Sequence, residues 1–107
     1  MTEAQIQGAV FDNLRSRGMP GVVFWHTPND RSSRNKAGYR AGVADVSVVY
    51  RGEYFGLELK VPKGITSDEQ IKFRDDVKAA GGNAHIAHGL DEALACLEAW
   101  GLLRKAA

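Results

Sequence analysis

The sequence has little of what marks an exported or membrane-embedded protein. Its single cysteine, Cys96, cannot form an internal disulfide and has apolar neighbours, as expected of a core residue in a reduced, cytosolic protein. No apolar run approaches the roughly 18 residues that a transmembrane helix needs. The opening residues, MTEAQIQ, are polar and acidic, so no signal peptide is expected. We therefore predict a cytoplasmic protein without membrane contact.

An excess of charge of one sign is also missing, because the net charge is only +1. This argues against a partner bound by bulk charge alone, but it leaves room for a local basic patch. Such a patch exists between residues 31 and 40, with Asp30 as the one acidic residue nearby; its members are Arg31, Arg34, Lys36 and Arg40. With 107 residues, 44% hydrophobic and 25% charged, the chain is expected to form one folded domain spanning 1–107.

The apolar periodicity predicts seven elements in the order α-β-β-β-α-β-α. They are a helix over 3–17, strands over 22–26, 43–50 and 54–61, a helix from 66 or 67 to 80, a strand over 84–87 and a helix over 91–100. Thr66-x-x-Glu69 has the form of a capping box for the second helix. We expect the first three strands to form an antiparallel meander and the fourth to follow by a helical crossover. The result is an α/β fold with a mixed four-stranded sheet flanked by helices.

The stretch over 27–42 has no apolar periodicity, and a loop of this length in a compact domain is usually functional or disordered. Because it carries the basic patch, we favour phosphate binding over a merely solvated surface. Tyr39 lies within it and is a possible base-stacking platform. Trp25 and Trp100 are expected in the core.

The predicted hairpin carries the informative side chains. The turn can lie at residues 51–52, which places Asp45 opposite Glu58, or at 52–53, which places Asp45 opposite Lys60. In both registers the three residues share one face, because side chains alternate along a strand. The strand around Glu58 is strongly apolar, so it is expected to be central in the sheet.

Two carboxylates this close repel each other unless a proton or a cation joins them. Oxygen ligands on one rigid surface suit Mg²⁺ or Mn²⁺, and such an ion can polarise a phosphoryl oxygen and activate water. Lys60 beside it can orient or deprotonate that water. The alternative is a solvated strand face in which Lys60 forms a cross-strand ion pair.

Two polar residues near the hairpin, Gln70 and His26, each allow two interpretations. Gln70 lies in the first turn of the second helix, in the apolar stripe of Phe73 and Val77, so it either meets the active face or turns to solvent. His26 either contacts phosphate or is satisfied by the backbone. His85 and His88 lack zinc-ligand spacing and are expected to be structural.

Three motifs taken together resemble a known pattern: Gly42-Val-Ala-Asp45, Gly56-Leu-Glu58-Leu-Lys60 and Ser67-x-x-Gln70. They are similar to the PD-(D/E)xK nucleases, and in detail to the VRR-NUC (virus-type replication-repair nuclease) branch. The segment His26-Thr-Pro-Asn29 before an arginine-rich loop resembles phage-borne single-domain members. One position departs from the pattern, because the family usually has proline where Ala44 stands. Alanine does not fix the φ angle as proline does, but the change removes no chemical group from the site.

The resemblance implies a restriction-endonuclease-like core and gives the residues roles. Asp45 and Glu58 would bind metal together with the backbone carbonyl of Leu59, and Lys60 would act on the attacking water. The supporting residues are implied to be Gln70 and Glu3. An acidic residue that meets the helix dipole is the alternative for Glu3.

The expected function is hydrolysis of DNA phosphodiester bonds by an Mg²⁺- or Mn²⁺-dependent endonuclease, structure-specific for junction or branched DNA in replication, repair or recombination. A homodimer is expected because two sites are needed to cut both strands. The predicted contacts to the DNA backbone are His26, Arg31, Arg34, Lys36 and Arg40. Two alternatives stay open: a non-catalytic nucleic-acid-binding module with the same fold, and an assembly protein whose hairpin charges form an ion pair.

Overall fold

The structure is a computed structural model and describes residues 1–28, 32 and 34–105. Its elements are α1 (Glu3–Arg17), β1 (Val23–His26), β2 (Val46–Tyr50), β3 (Glu53–Lys60), α2 (Asp68–Ala79), β4 (Asn83–His88) and α3 (Leu90–Ala99). The predicted order is confirmed, and most bounds shift by one or two residues. The largest shift is at β2, which begins three residues later than predicted and leaves Asp45 just before the strand.

The four strands form one sheet in the order β1-β2-β3-β4. The first three are antiparallel, whereas β3 and β4 are parallel, so the predicted meander and crossover are confirmed and β3 is central. Tyr50 pairs with Glu53, which places the turn at Arg51 and Gly52, the first of the two registers. Their φ angles of 50° and 80° are both positive, as a type I′ hairpin turn requires.

The hydrophobic core lies on one face of the sheet, where α1 packs against β3 and α3 packs against β4. Phe55, Leu57 and Leu59 point into it, because they alternate with Tyr54, Gly56, Glu58 and Lys60 along the strand. The helices and the C-terminal residues complete it with Ile6, Val10, Leu14, Ala93, Leu97, Leu102 and Leu103. Glu58 and Lys60 are therefore directed to the opposite face, over which α2 lies.

The N-cap of α2 lies one residue after Thr66, the first residue of the predicted capping box. Ser67 is the N-cap, and its box partner is Gln70 rather than Glu69, so the Thr66–Glu69 box is wrong. The Ser67 hydroxyl accepts a hydrogen bond from the Gln70 amide at 3.2 Å, and the Gln70 side-chain oxygen accepts one from the Ser67 amide at 2.9 Å. This arrangement satisfies two amides at the helix start and holds the Gln70 side chain in one orientation.

The two tryptophans differ from expectation. Trp100 is half-buried and packs on Phe55 with ring centroids 5.3 Å apart. Trp25 is 44% exposed on β1, so its assignment to the core is wrong. Cys96 is half-buried against the core, which raises the pKa of its thiol to about 12. In the part of the chain that the structure describes, no helix is long and apolar enough to cross a membrane.

Candidate active site

Glu58 is a charged residue at the centre of the sheet, and only 4% of it is exposed. Its Oε2 accepts a hydrogen bond of 3.0 Å from Nε2 of Gln70. Its Oε1 is buried and has no hydrogen-bond partner among the described residues. A buried carboxylate oxygen without a partner is costly, so its presence indicates a position where a ligand completes the site.

Asp45 is fixed at both its side chain and its backbone. Its Oδ2 accepts a hydrogen bond of 2.9 Å from the backbone amide of Leu59. Its carbonyl accepts one of 3.0 Å from the amide of Thr27 and lies 3.0 Å from Nδ1 of His26. Asp45 therefore continues the pairing of β1, β2 and β3 one residue before the start of β2. Its carboxylate is directed at the backbone of Leu59, the neighbour of Glu58.

Three carboxylates converge at this end of the sheet. Glu3, Asp45 and Glu58 each offer one oxygen, and the three oxygens lie within 4.8 Å of one another. Ligand oxygens that share one Mg²⁺ lie at most about 4.2 Å apart, so the three oxygens are close to the spacing that one ion requires. The unpartnered oxygen of Glu58 and this all-oxygen donor set both fit a divalent cation of the Mg²⁺ type.

Electrostatics agree with that fit. Burial, the neighbouring Asp45 and, more weakly, Glu3 together raise the pKa of Glu58 to about 9, although Lys60 opposes the shift. Without a cation the site therefore holds a proton on Glu58 at neutral pH. A divalent cation would take the place of that proton.

Lys60 is the last residue of β3 and shares the face of Glu58. It is half-buried, and its positive charge lowers the pKa of Glu58. In the parallel ladder it stands beside His88. The structure thus brings together the three hairpin residues that the sequence placed on one face, with Gln70 and Glu3 beside them.

The loop before β2 forms one wall of a groove of about 640 Å³ next to this site. The lining residues are Arg34, Tyr39, Ala41, Gly42, Ser67, Glu69 and Gln70. Gly42 is buried with a φ of +79°, and a Cβ there would lie 2.3 Å from the carbonyl carbon of Glu69. Only glycine therefore allows the loop to lie this close to the start of α2.

The basic residues of the loop are not all alike. Arg40 pairs with Asp76 of α2 at 2.6 Å and lies over the ring of Phe73. This contact lowers the pKa of Asp76, and it was not predicted, because nothing in the local sequence links positions 36 residues apart. Arg34 and Lys36 are exposed, whereas the predicted contact Arg31 lies outside the described residues.

His26 takes the backbone alternative, through the Asp45 carbonyl, and its ring also meets the edge of Phe11 with centroids 6.3 Å apart. His85 lies 3.5 Å from Glu92. In the described part of the chain the only cluster of three or more metal-binding side chains is the one containing Glu58.

Comparison with known proteins identifies the fold. No family model matches the sequence, and no curated protein matches it. Among solved structures, one described as a VRR_NUC domain protein superposes with a TM-score of 0.78 and 20% identity, covering 92% of this chain and 86% of that one. Another, described as a VRR_NUC domain, gives a TM-score of 0.67 and 16% identity, covering 92% and 97%. The protein therefore has the fold of the VRR_NUC domain, as the resemblance in its motifs implied.

Proposed function

We propose that this protein is a VRR-NUC family nuclease that hydrolyses DNA phosphodiester bonds with the help of Mg²⁺ or Mn²⁺. The observation that carries the proposal is the buried, unpartnered Oε1 of Glu58 within a cluster of three carboxylates beside Lys60. A carboxyl group buried at the centre of a sheet beside a second carboxylate is costly to the fold. A role in chemistry explains its position better than a role in stability.

In this proposal Asp45 and Glu58 hold the metal ion, Glu3 completes the carboxylate set, and the backbone carbonyl of Leu59 is a further ligand. When bound, the ion supplies Lewis-acid polarisation of the scissile phosphate and activation of a water molecule. The hydrogen bond from Leu59 to Asp45 keeps one oxygen of Asp45 occupied and leaves the other for the ion.

Lys60 and Gln70 provide the rest of the machinery. The ammonium group of Lys60 orients the attacking water and stabilises the negative charge that develops on the phosphate. Gln70 holds Oε2 of Glu58 at 3.0 Å, so the carboxylate presents Oε1 to the site. Holding the carboxylate in one orientation before the substrate binds lowers the entropic cost of reaching the reactive geometry.

Phosphate binding is assigned to Arg34 and Lys36, which are exposed, and to Arg31, which lies outside the described residues. His26 would contact phosphate through Nε2, since its Nδ1 meets the Asp45 carbonyl. Arg40 contacts Asp76 through one nitrogen and stays partly exposed, so it can bind a phosphate while it holds the loop on α2. Backbone contacts of this type position a nucleic acid without reading its sequence. A homodimer that places two sites on opposite strands would allow cleavage of duplex or junction DNA.

The test is a panel of supercoiled, nicked, linear, single-stranded and four-way-junction DNA incubated with the purified protein. Cleavage is expected with Mg²⁺ or Mn²⁺ and not with chelator. The mass of the protein in solution tests the dimer independently. Salt-sensitive binding of the panel without cleavage under any metal would contradict the nuclease assignment and favour the non-catalytic module.

A further inference from the structure

The sheet face that carries Glu58 and Lys60, which we call the carboxylate face, is covered over only part of its width. Helix α2 packs on β4 and reaches β3 through Gln70. On β1 and β2 the same face carries Val23, Trp25, Ser47 and Val49, since these residues alternate with the core-facing Phe24, Val46 and Val48. Of these residues Ser47 is buried, whereas the apolar side chains of Val23, Trp25 and Val49 are exposed.

The open part has a defined composition. Val23 pairs with Val49, and these residues are 57% and 37% exposed. Trp25 pairs with Ser47, whose hydroxyl is 2.8 Å from the hydroxyl of Tyr54. Trp25 therefore lies on a rigid strand with its side chain 44% exposed, between two valines on one side and the carboxylates on the other.

We infer that Trp25, with Val23 and Val49, is a stacking platform for an unpaired nucleobase of the DNA substrate. The inference rests on the proposed function and adds a substrate class to it, namely DNA with unpaired nucleotides next to the cleaved bond. Ser47, the partner of Trp25, is two residues from Asp45 on the same face, a separation of about 7 Å. One nucleotide step along a DNA strand is therefore enough to connect a phosphate at the carboxylates with a base at Trp25.

Two further observations favour nucleic acid as the occupant. Arg34 lines the same groove as Gln70, which is hydrogen-bonded to Glu58, so it can bind a phosphate of a strand that runs past the carboxylates. An exposed indole offers a sequence-tolerant surface to any base. A second copy of the chain is the competing occupant, and the mass of a Trp25→Ala variant in solution tests it.

The direct test uses tryptophan fluorescence, since the chain has only two tryptophans. In a Lys60→Ala/Trp100→Phe protein Trp25 is the one emitter, and cutting is suppressed. With Mg²⁺ present, single-stranded oligothymidine is expected to quench this emission, whereas a blunt duplex of equal length is not. A Lys60→Ala/Trp25→Phe protein, which keeps Trp100 alone, is expected to show no change with either DNA.

A second arm measures cleavage by the full chain. Trp25→Ala is expected to lower kcat/KM roughly tenfold on a duplex with unpaired nucleotides beside the cut, and to leave a fully paired duplex unaffected. Trp25→Phe keeps an aromatic surface and is expected to retain most of the activity. Ile71→Ala, which removes a 36% exposed apolar side chain on α2, is the matched control and should change neither substrate.

Three results would overturn the platform: equal quenching by single strand and duplex, unchanged kcat/KM in a folded Trp25→Ala protein, or a halved mass of that variant in solution, which would assign the patch to a second copy. Failure of the proposed function looks different. In that case the wild-type protein cuts no DNA of any shape, while quenching by oligothymidine still reports base stacking on Trp25.

Discussion

The side-chain nitrogen of Gln70 donates a hydrogen bond of 3.0 Å to Oε2 of Glu58, at the centre of the sheet. The oxygen of the same amide accepts a hydrogen bond from the Ser67 backbone at 2.9 Å. One side chain thus begins helix α2 and fixes the carboxylate that we assign to the metal. Because both ends of the amide are engaged, a reversed amide would lose both contacts.

Gln70→Glu separates these two roles. Glutamate also serves in a capping box, so α2 keeps its start, but the donor to Glu58 is replaced by an acceptor. We expect cleavage of DNA to fall at least about tenfold, with little loss of helicity by circular dichroism. Gln5→Glu makes the same change in the capping box of α1 and serves as the control. Equal activity of the two variants would mean that Gln70 only caps α2 and does not support Glu58.

Glu58→Gln should remove metal binding while the fold survives, because the amide has nearly the same shape and can still accept from Gln70. Wild-type protein is expected to melt at a higher temperature with Mn²⁺ than without it, since a ligand that binds only the folded state stabilises it. The variant should show no such rise. Glu53→Gln, at the exposed start of β3, is the control and should retain it. A full Mn²⁺ effect in Glu58→Gln would exclude Glu58 as a ligand.

The stability of the metal-free protein should depend on pH through Glu58. Its pKa is about 9 in the folded protein, against an ordinary value of 4.5. Between these pH values the folded protein retains a proton that the unfolded chain has released. The free energy of unfolding therefore falls as the pH rises through this window. Urea titrations at pH 6 and pH 9 in chelator measure this change in the free energy of unfolding. Glu58→Gln should largely abolish the change. A wild-type protein that is equally stable at both pH values would contradict the raised pKa of Glu58.

Gly42→Ala tests the contact between the loop and α2. The added Cβ would lie 2.3 Å from the Glu69 backbone at a φ of +79°, so we expect a loss of roughly 2 kcal/mol or more in the free energy of unfolding. Gly52→Ala has a similar φ of +80° but open space around the new methyl group, and should cost only about 1 kcal/mol. Equal losses in denaturant titrations would mean that the loop does not rest on α2.

The site could be anticipated from the sequence as far as its residues are local neighbours. Asp45, Glu58 and Lys60 share a face in every plausible hairpin register, because alternation along a strand depends on backbone geometry alone. Gln70 followed from its place in the apolar stripe of its helix. Both inferences need only a short stretch of chain.

The errors lie where distant parts of the chain decide the outcome. Val-Phe-Trp-His in β1 is apolar on both faces, and the exposure of Trp25 follows from where α2 lies on the sheet. The ion pair of Arg40 with Asp76 was not predicted, because Asp76 lies on another element; the assignment of Arg40 to DNA stays a prediction. Helix α2 begins after Ser67 and not after Thr66, because Ser67 and Gln70 cap each other.

The most direct test of the account is the single-turnover rate of DNA cleavage in Mg²⁺ by Lys60→Ala compared with Lys63→Ala. Lys63 lies three residues further along and is exposed, so it controls for the loss of one positive charge at the same edge of the sheet. Lys63→Ala is expected to keep most of the wild-type rate, whereas a folded Lys60→Ala protein is expected to cut no DNA. Cleavage by Lys60→Ala at the rate of Lys63→Ala, or wild-type cleavage that persists in chelator, would contradict a metal-dependent role for Lys60.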